Sequence, residues 1–191
     1  MITANNIGRQ TTDCEIRKSL RHYLADDAVR VIEEFNVENG ASRADLVGIS
    51  DAELHGYEIK SDVDSLGRLA SQVQSYNKVF SRVTVVVGIK HVRQVAYMIP
   101  DWWGIILAKY DSDGHIIFSK IRQAGTNPNL DAASLLRLLL KQEIGAIVKR
   151  HDLRASSHST KESLTQILRD QIDDADIRIM VAASLRLRYC S

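Results

Sequence analysis

Seven consecutive residues, Val83 to Ile89, carry no charge and are mostly β-branched. A short run without polar–apolar alternation suits a strand covered on both faces. The chain around it must therefore supply layers above and below a sheet. With 191 residues and 45% hydrophobic content, it can bury one sizeable core and a small appendage.

The flanking segments show how those layers are made. Met1 to about Thr12 is polar and is expected to fray. Thr12 or Asp13 caps a helix with Ile16, Leu20, Tyr23 and Leu24 at helical spacing. Val29 to Val37 alternates branched apolar residues with charge, as a strand does, and contains Glu33 and Glu34. Asn39-Gly40 is a hairpin turn signal, Arg43 to Ile49 a second strand, and Leu54 to Lys60 a third. A helix is expected over Leu66 to Phe80, a short one over Val92 to Met98, and further strands over Trp103 to Tyr110 and Ile116 to Lys120 around the Asp113-Gly114 turn. The order predicts an α/β fold, a mixed β-sheet flanked by helices. Ala124 to Asn129, where Gly, Asn and Pro cluster, reads as a boundary. Beyond it, Leu130 to Arg150 and Thr160 to Arg188 have helical patterns, an α-helical C-terminal region over 130–191.

Inside the second and third strands lie charges that are costly to bury. Asp45 stands in Arg43-Ala44-Asp45-Leu46, and Glu58 and Lys60 in Gly56-Tyr57-Glu58-Ile59-Lys60. Residues two apart on a strand share a face, so Glu58 and Lys60 project together while Tyr57 and Ile59 face away. If the two strands pair, Asp45 lies beside Glu58. Carboxylates within ~4–6 Å repel unless a cation sits between them. Oxygen ligands of this kind suit Mg or Mn, with the Ile59 carbonyl as a further ligand and Glu34 completing the shell. Lys60 then orients or helps deprotonate an attacking water, and the pieces add up to metal-assisted phosphodiester hydrolysis.

Asp45 followed by Glu58-x-Lys60 resembles the PD-(D/E)XK nuclease superfamily, the restriction-endonuclease-like fold. The helix-strand-strand-strand-helix-strand order is similar to that family's core, and Gln72-x-x-x-Tyr76 is similar to the Gln-x-x-x-Tyr element of its RecB-like branch. More narrowly, four motifs together look like a small bacterial family within it. They are Arg43-Ala44-Asp45-Leu46, Gly56 to Asp62, Leu66-x-Arg68-Leu69-x-x-Gln72-x-x-x-Tyr76 and Pro100-x-Trp102-Trp103-Gly104. Ala44 stands where the superfamily has a proline. The resemblance implies a nuclease domain over 13–122 and a Mg-dependent DNase, probing DNA as the partner, with Asp45 and Glu58 as ligands, Lys60 as the catalytic lysine and Gln72 orienting the shell or the scissile phosphate. Arg68 is a candidate phosphate contact. Tyr76 is a candidate contact too, although it also fits its helix's apolar stripe.

Ile144-x-x-Ile147-Val148 and Leu153, followed by Lys161-x-x-Leu164-x-x-x-Leu168, resemble a SAP-type DNA-binding motif with Asp152 in place of its usual Gly. That resemblance implies phosphate contacts from Lys149, Arg150 and Lys161. A helical cap on the core, or a homodimer surface, is the competing reading. The formal net charge of +1 gives no global basic field, so nucleic acid would be held by local patches. Cys14 and Cys190 suggest neither a disulfide framework nor a zinc site, and no apolar run approaches the ~20 residues of a membrane span. The expectation is a cytoplasmic protein acting on DNA, alone or with a protein partner. Two alternatives are a non-cleaving DNA- or partner-binding module, and an RNA-cleaving or partner-gated effector.

Overall fold

The computed structural model of the chain describes residues 9–25 and 29–189, without the side chain of Asn39. Among these residues the chain forms a mixed α/β structure. Its helices are α1 (Asp13–Tyr23), α2 (Leu69–Val79), α3 (Val92–Met98), α4 (Ala132–Arg137), α5 (Lys141–Arg150), α6 (Lys161–Gln171) and α7 (Asp174–Tyr189). Its strands are β1 (Arg30–Val37), β2 (Ser42–Ile49), β3 (Leu54–Lys60), β4 (Arg82–Gly88), β5 (Gly104–Tyr110) and β6 (Ile116–Arg122). The strands lie in sequence order in one sheet. β1, β2 and β3 form an antiparallel meander, β3, β4 and β5 run parallel, and β6 returns antiparallel as a hairpin edge.

The uncharged run is β4, at the middle of the sheet and covered on both sides as its composition requires. Val83, Val85 and Val87 enter one apolar cluster with α2, while Val86 enters a second, smaller one with Ile16 and Leu20 of α1. The helices that connect parallel strands, α2 and α3, share the larger cluster. That cluster also takes Leu135, Leu136, Ile144, Leu164, Val181 and Leu185, so the C-terminal helices continue the same core. The 124–129 segment, read as a boundary, is tied down. The Asn127 side-chain amide donates to the carbonyls of Asn77 and Phe80, and the Arg82 guanidinium donates to that of Ala124.

Two local expectations are corrected. The fraying assigned to the N-terminal stretch does not extend to its end, and residues 1–8 lie outside the described ones. Thr11 is buried, with its backbone N–H and hydroxyl both donating to Asp62 at 2.9 Å, and Thr12 is the N-cap of α1. The two long C-terminal helical patterns each break once, between α4 and α5 and between α6 and α7. His55, in β3 as the strand pattern places it, is stacked on Tyr57, and burial followed by the nearby Arg82 charge lowers its pKa to about 4. Cys14 is exposed and free, and Cys190 lies outside the described residues. No helix is long and apolar enough to cross a membrane among the described residues.

Because α4 and the sheet share one core, Leu136→Ala should destabilise the whole chain by about 2–5 kcal/mol. Urea unfolding followed by tryptophan fluorescence and far-UV circular dichroism should show both probes moving together. Displacement of the dichroism curve alone would mean that the helical region unfolds separately.

Candidate functional site

The cleft forms where the β-meander stops being regular. In β1 the register runs Glu33↔Leu46 and Phe35↔Ala44, which sets Glu34 opposite Asp45, but that pair is missing from the ladder. Glu34 has φ 54°, a left-handed conformation rare for a residue with a side chain and costing about 1–3 kcal/mol. The twist inverts the strand's alternation: Ile32 and Phe35 both enter the larger cluster, as do Ala44 and Val47 across from them. On its other edge, β2 pairs with β3 only as far as Leu46↔Tyr57. The next β3 residues splay away, and the Ile59 N–H, with no β2 ladder partner, is taken instead by the Asp45 carboxylate at 2.7 Å.

This splay leaves a cleft of about 460 Å³ lined by Asp13, Arg17, Glu34, Asp45, Glu58, Ile59, Lys60, Arg68 and Gln72, among others. Asp45, Glu58, Ile59, Lys60 and Gln72, expected together from the sequence, are therefore brought together. Glu58 is almost wholly buried, with each oxygen supplied with donors. Lys60 Nζ at 2.7 Å and Gln72 Nε2 at 2.6 Å donate to Oε1, and the Tyr76 hydroxyl lies 2.6 Å from Oε2. The same hydroxyl is 2.8 Å from the Arg43 carbonyl, so its one proton is shared between two acceptors. Tyr76, a candidate nucleic-acid contact that also fitted its helix's apolar stripe, is on the core side: it is fully buried, stacked on Trp103, and its hydroxyl supports Glu58. The α2 helix delivers Gln72 and Tyr76 together because residues four apart share a helix face.

Burial, and secondarily the charge of Asp45, pushes the Glu58 carboxyl up to about 7, against the opposing pull of Lys60 and Tyr76. Burial also raises Asp45, opposed by the Ile59 N–H and Arg17. Two adjacent carboxyls both held toward neutrality form a site that a cation would relieve. A second sign is Gln72 Oε1, a buried acceptor with no hydrogen-bond partner. Asp45, Glu58 and the Ile59 carbonyl thus form a hard-oxygen donor set that could hold Mg or Mn.

Glu34 is placed differently from the other acids. Its carboxylate is held by Arg17 at 2.6 Å on one oxygen and by Arg43 at 2.6 Å on the other. Glu33 points elsewhere, to Arg21. Among the described residues, the acidic group whose ligand atoms come within 4.8 Å of one another is Asp111, Asp113 and His115 in the β5–β6 turn, not Glu34, Asp45 and Glu58. There Asp111 accepts the N–H groups of Asp113 and His115, which is ordinary turn chemistry.

Two contributions were missed from sequence, a pair of residues on α1 and a single acid just after β3. Arg17 and Asp13 reach the cleft from α1, and their i,i+4 spacing gave only a surface ion pair as a signal. Asp62 is the other: it binds Thr11 and the Lys90 N–H and lies against Gly88, where a Cβ would come within 2.5 Å of its carboxylate. It thereby anchors the start of α1 to the ends of β3 and β4.

The basic residues of the C-terminal region lie apart from this cleft. Lys149 lines a groove of about 910 Å³ between α5 and α6, with Val148, Leu153 and Leu164 on its walls. Arg150 is exposed at the end of α5, and the Lys161 amine donates to the Arg137 carbonyl. Asp152 has φ 53°, so an aspartate occupies the left-handed position that the resembled motif gives to Gly.

The Glu58 shift has a consequence for stability. A carboxyl held at about 7 in the fold and near 4.5 when unfolded keeps a proton that the unfolded chain releases. Its contribution is complete below pH ~4.5 and is lost as pH rises through ~7. Thermal melts of the metal-free chain from pH 5 to 8 should therefore fall more steeply than those of Glu58→Gln. Parallel profiles would mean that Glu58 titrates at its ordinary value.

Comparison with known proteins places the chain in a phage family. The family model described as Bacteriophage P4 protein cII matches residues 11–191. Protein cII of Enterobacteria phage P4 is 30% identical over 160 residues, covering 83% of this chain and 59% of the relative, so this chain spans less than two thirds of that protein's length. No solved structure matches. The chain belongs to the bacteriophage P4 protein cII family.

Proposed function

We propose that the chain is a metal-dependent nuclease that hydrolyses phosphodiester bonds of DNA, built on a restriction-endonuclease-like fold. The observation that carries this reading is the meeting of Asp45, Glu58, Lys60 and Gln72 in one cleft at the point where β2 and β3 splay. The order α1, three antiparallel strands, α2, parallel β4 supports the fold reading. The unpartnered Gln72 Oε1 and the raised Glu58 support a cation there.

Bound Mg or Mn would act as a Lewis acid on the phosphodiester and neutralise charge that develops on it. Asp45, Glu58 and the Ile59 carbonyl would hold the ion. Lys60, on the same face of β3 as Glu58 and hydrogen-bonded to it, would direct its ammonium at the attacking water and the developing phosphorane charge. Gln72 keeps Glu58 oriented through its Nε2 and offers Oε1 to a donor entering the cleft. Arg68, on the cleft wall, is suited to a flanking phosphate, and the exposed Lys149 and Arg150 to backbone phosphates farther away. The reading is of a cytoplasmic enzyme that acts on DNA.

One observation favours the non-cleaving alternative. Glu34, Asp45 and Glu58 are already paired with Arg17, Arg43 and Lys60, so a binding module could persist here without metal.

The decisive experiment is incubation of the chain with supercoiled, linear and single-stranded DNA and with RNA in Mn. Lys60→Gln and Asp45→Asn should each lower DNA cleavage by roughly a hundredfold or more while circular dichroism stays unchanged. Full activity in either folded variant would end the mechanism. A native chain that binds Mn and cleaves only RNA would reassign the substrate.

A further inference from the structure

Arg17 spends all five of its N–H donors on acceptors in or beside the cleft. Nε and Nη2 grip Asp13 at 3.1 Å each, Nη2 also donates to Asp45 Oδ1 at 2.8 Å, and Nη1 donates to Glu34 at 2.6 Å and to the Asp45 carbonyl at 3.0 Å. These acceptors come from three elements, α1, β1 and β2, and the Arg17 side chain is only 16% exposed. A solvated surface pair seldom has this form, since holding a long side chain in one geometry offsets most of what it gains. A planar guanidinium with every donor filled is a fitted counter-ion for a cluster of acids.

We propose that Arg17 is the resident cation of the site: it holds Asp45 and Glu34 in the absence of metal, and an entering divalent ion must displace it from Asp45. The inference rests on the metal-dependent reading above and adds that this chain sets its own metal affinity through a residue that is not a ligand. Three features support it. Arg17 contacts the carboxylate that also caps the Ile59 N–H, so it bears on the very acid that would ligate metal. Guanidinium stays charged at any physiological pH, so the exchange is a displacement and not a loss of a proton. Asp13, one helical turn before Arg17, gives the displaced side chain a resting partner on its own helix, which makes the exchange reversible. Arg17 is in this sense a positioning residue. Its removal takes the paired cation from Asp13 and Asp45 and leaves Glu34 with Arg43, the only other cation paired with these three acids among the described residues.

The test is calorimetric titration of MnCl₂ into the metal-stripped full chain, comparing the native sequence with Arg17→Gln, Arg17→Lys and Asp45→Asn. Removing a unit charge this close to a ligand should tighten Mn binding by at least about tenfold in Arg17→Gln. Arg17→Lys, which keeps the charge but loses the fork, should fall between native and Arg17→Gln, and Asp45→Asn should bind Mn far more weakly than native. Without metal, Arg17→Gln should melt below the native chain, and Mn should raise its melting temperature by more. Should Arg17→Gln fail to fold, Arg17→Lys decides by the same comparison. Equal or weaker Mn binding in the arginine variants, with native binding intact, overturns the inference and leaves the proposed nuclease standing. Absence of Mn binding in native chain and variants alike overturns both.

Discussion

A carboxylate carried beneath a helix stays there only if its oxygens are supplied with donors, and Glu58 meets that condition with three. Lys60 reaches it along β3, and Gln72 and Tyr76 reach it from α2. Leaving such a group unsatisfied would cost several kcal/mol, so the angle at which α2 crosses the sheet is coupled to the site. Tyr76 extends that coupling into the core, where it stacks on Trp103, whose indole N–H is in turn held by Asn77 of the same helix. Site and core are thus one packed arrangement on this face of the sheet.

The second constraint is the broken ladder at Glu34 and Asp45. Backbone strain at Glu34 is tolerated because its side chain is pinned on both oxygens by arginines. The same break frees Asp45 to cap the Ile59 N–H rather than continue the pairing. Strand irregularity, acid placement and the opening of the cleft therefore have a single cause. Arg17 closes the arrangement from α1, whose own position depends on the Thr11–Asp62 contact two residues beyond Lys60.

The C-terminal helices bear on this site indirectly. Leu135 and Leu136 of α4 share the apolar cluster with Leu69 and Val79 of α2, so the helical region backs the element that carries Gln72 and Tyr76. It also carries a second surface, the α5–α6 groove with Lys149 on its wall, away from the acids. In the proposed nuclease the first relationship concerns the geometry of the site and the second concerns how nucleic acid is held.

Much of the fold was legible from local patterns. The uncharged β4 run, the alternation in β1 and the turn signals at Asn39-Gly40 and Asp113-Gly114 describe elements within a residue or two of those observed, because strand faces and turns are decided by near neighbours. The shared face of Glu58 and Lys60 followed from strand geometry alone. The breaks between α4 and α5 and between α6 and α7 were not legible, since their apolar periodicity carries across the gaps. Nor was the firm seating of residues 124–129, whose Gly, Asn and Pro read as a boundary and whose Asn127 is bonded to Asn77 and Phe80. By itself the sequence determined which acids, lysine and amide were available and on which strand or helix face they would stand. Only the tertiary structure decided that Glu34 turns to two arginines, that Tyr76 is buried as a support, and that Arg17 enters from α1. Those outcomes depend on how distant elements dock and which charge finds which partner, and no local spacing encodes that.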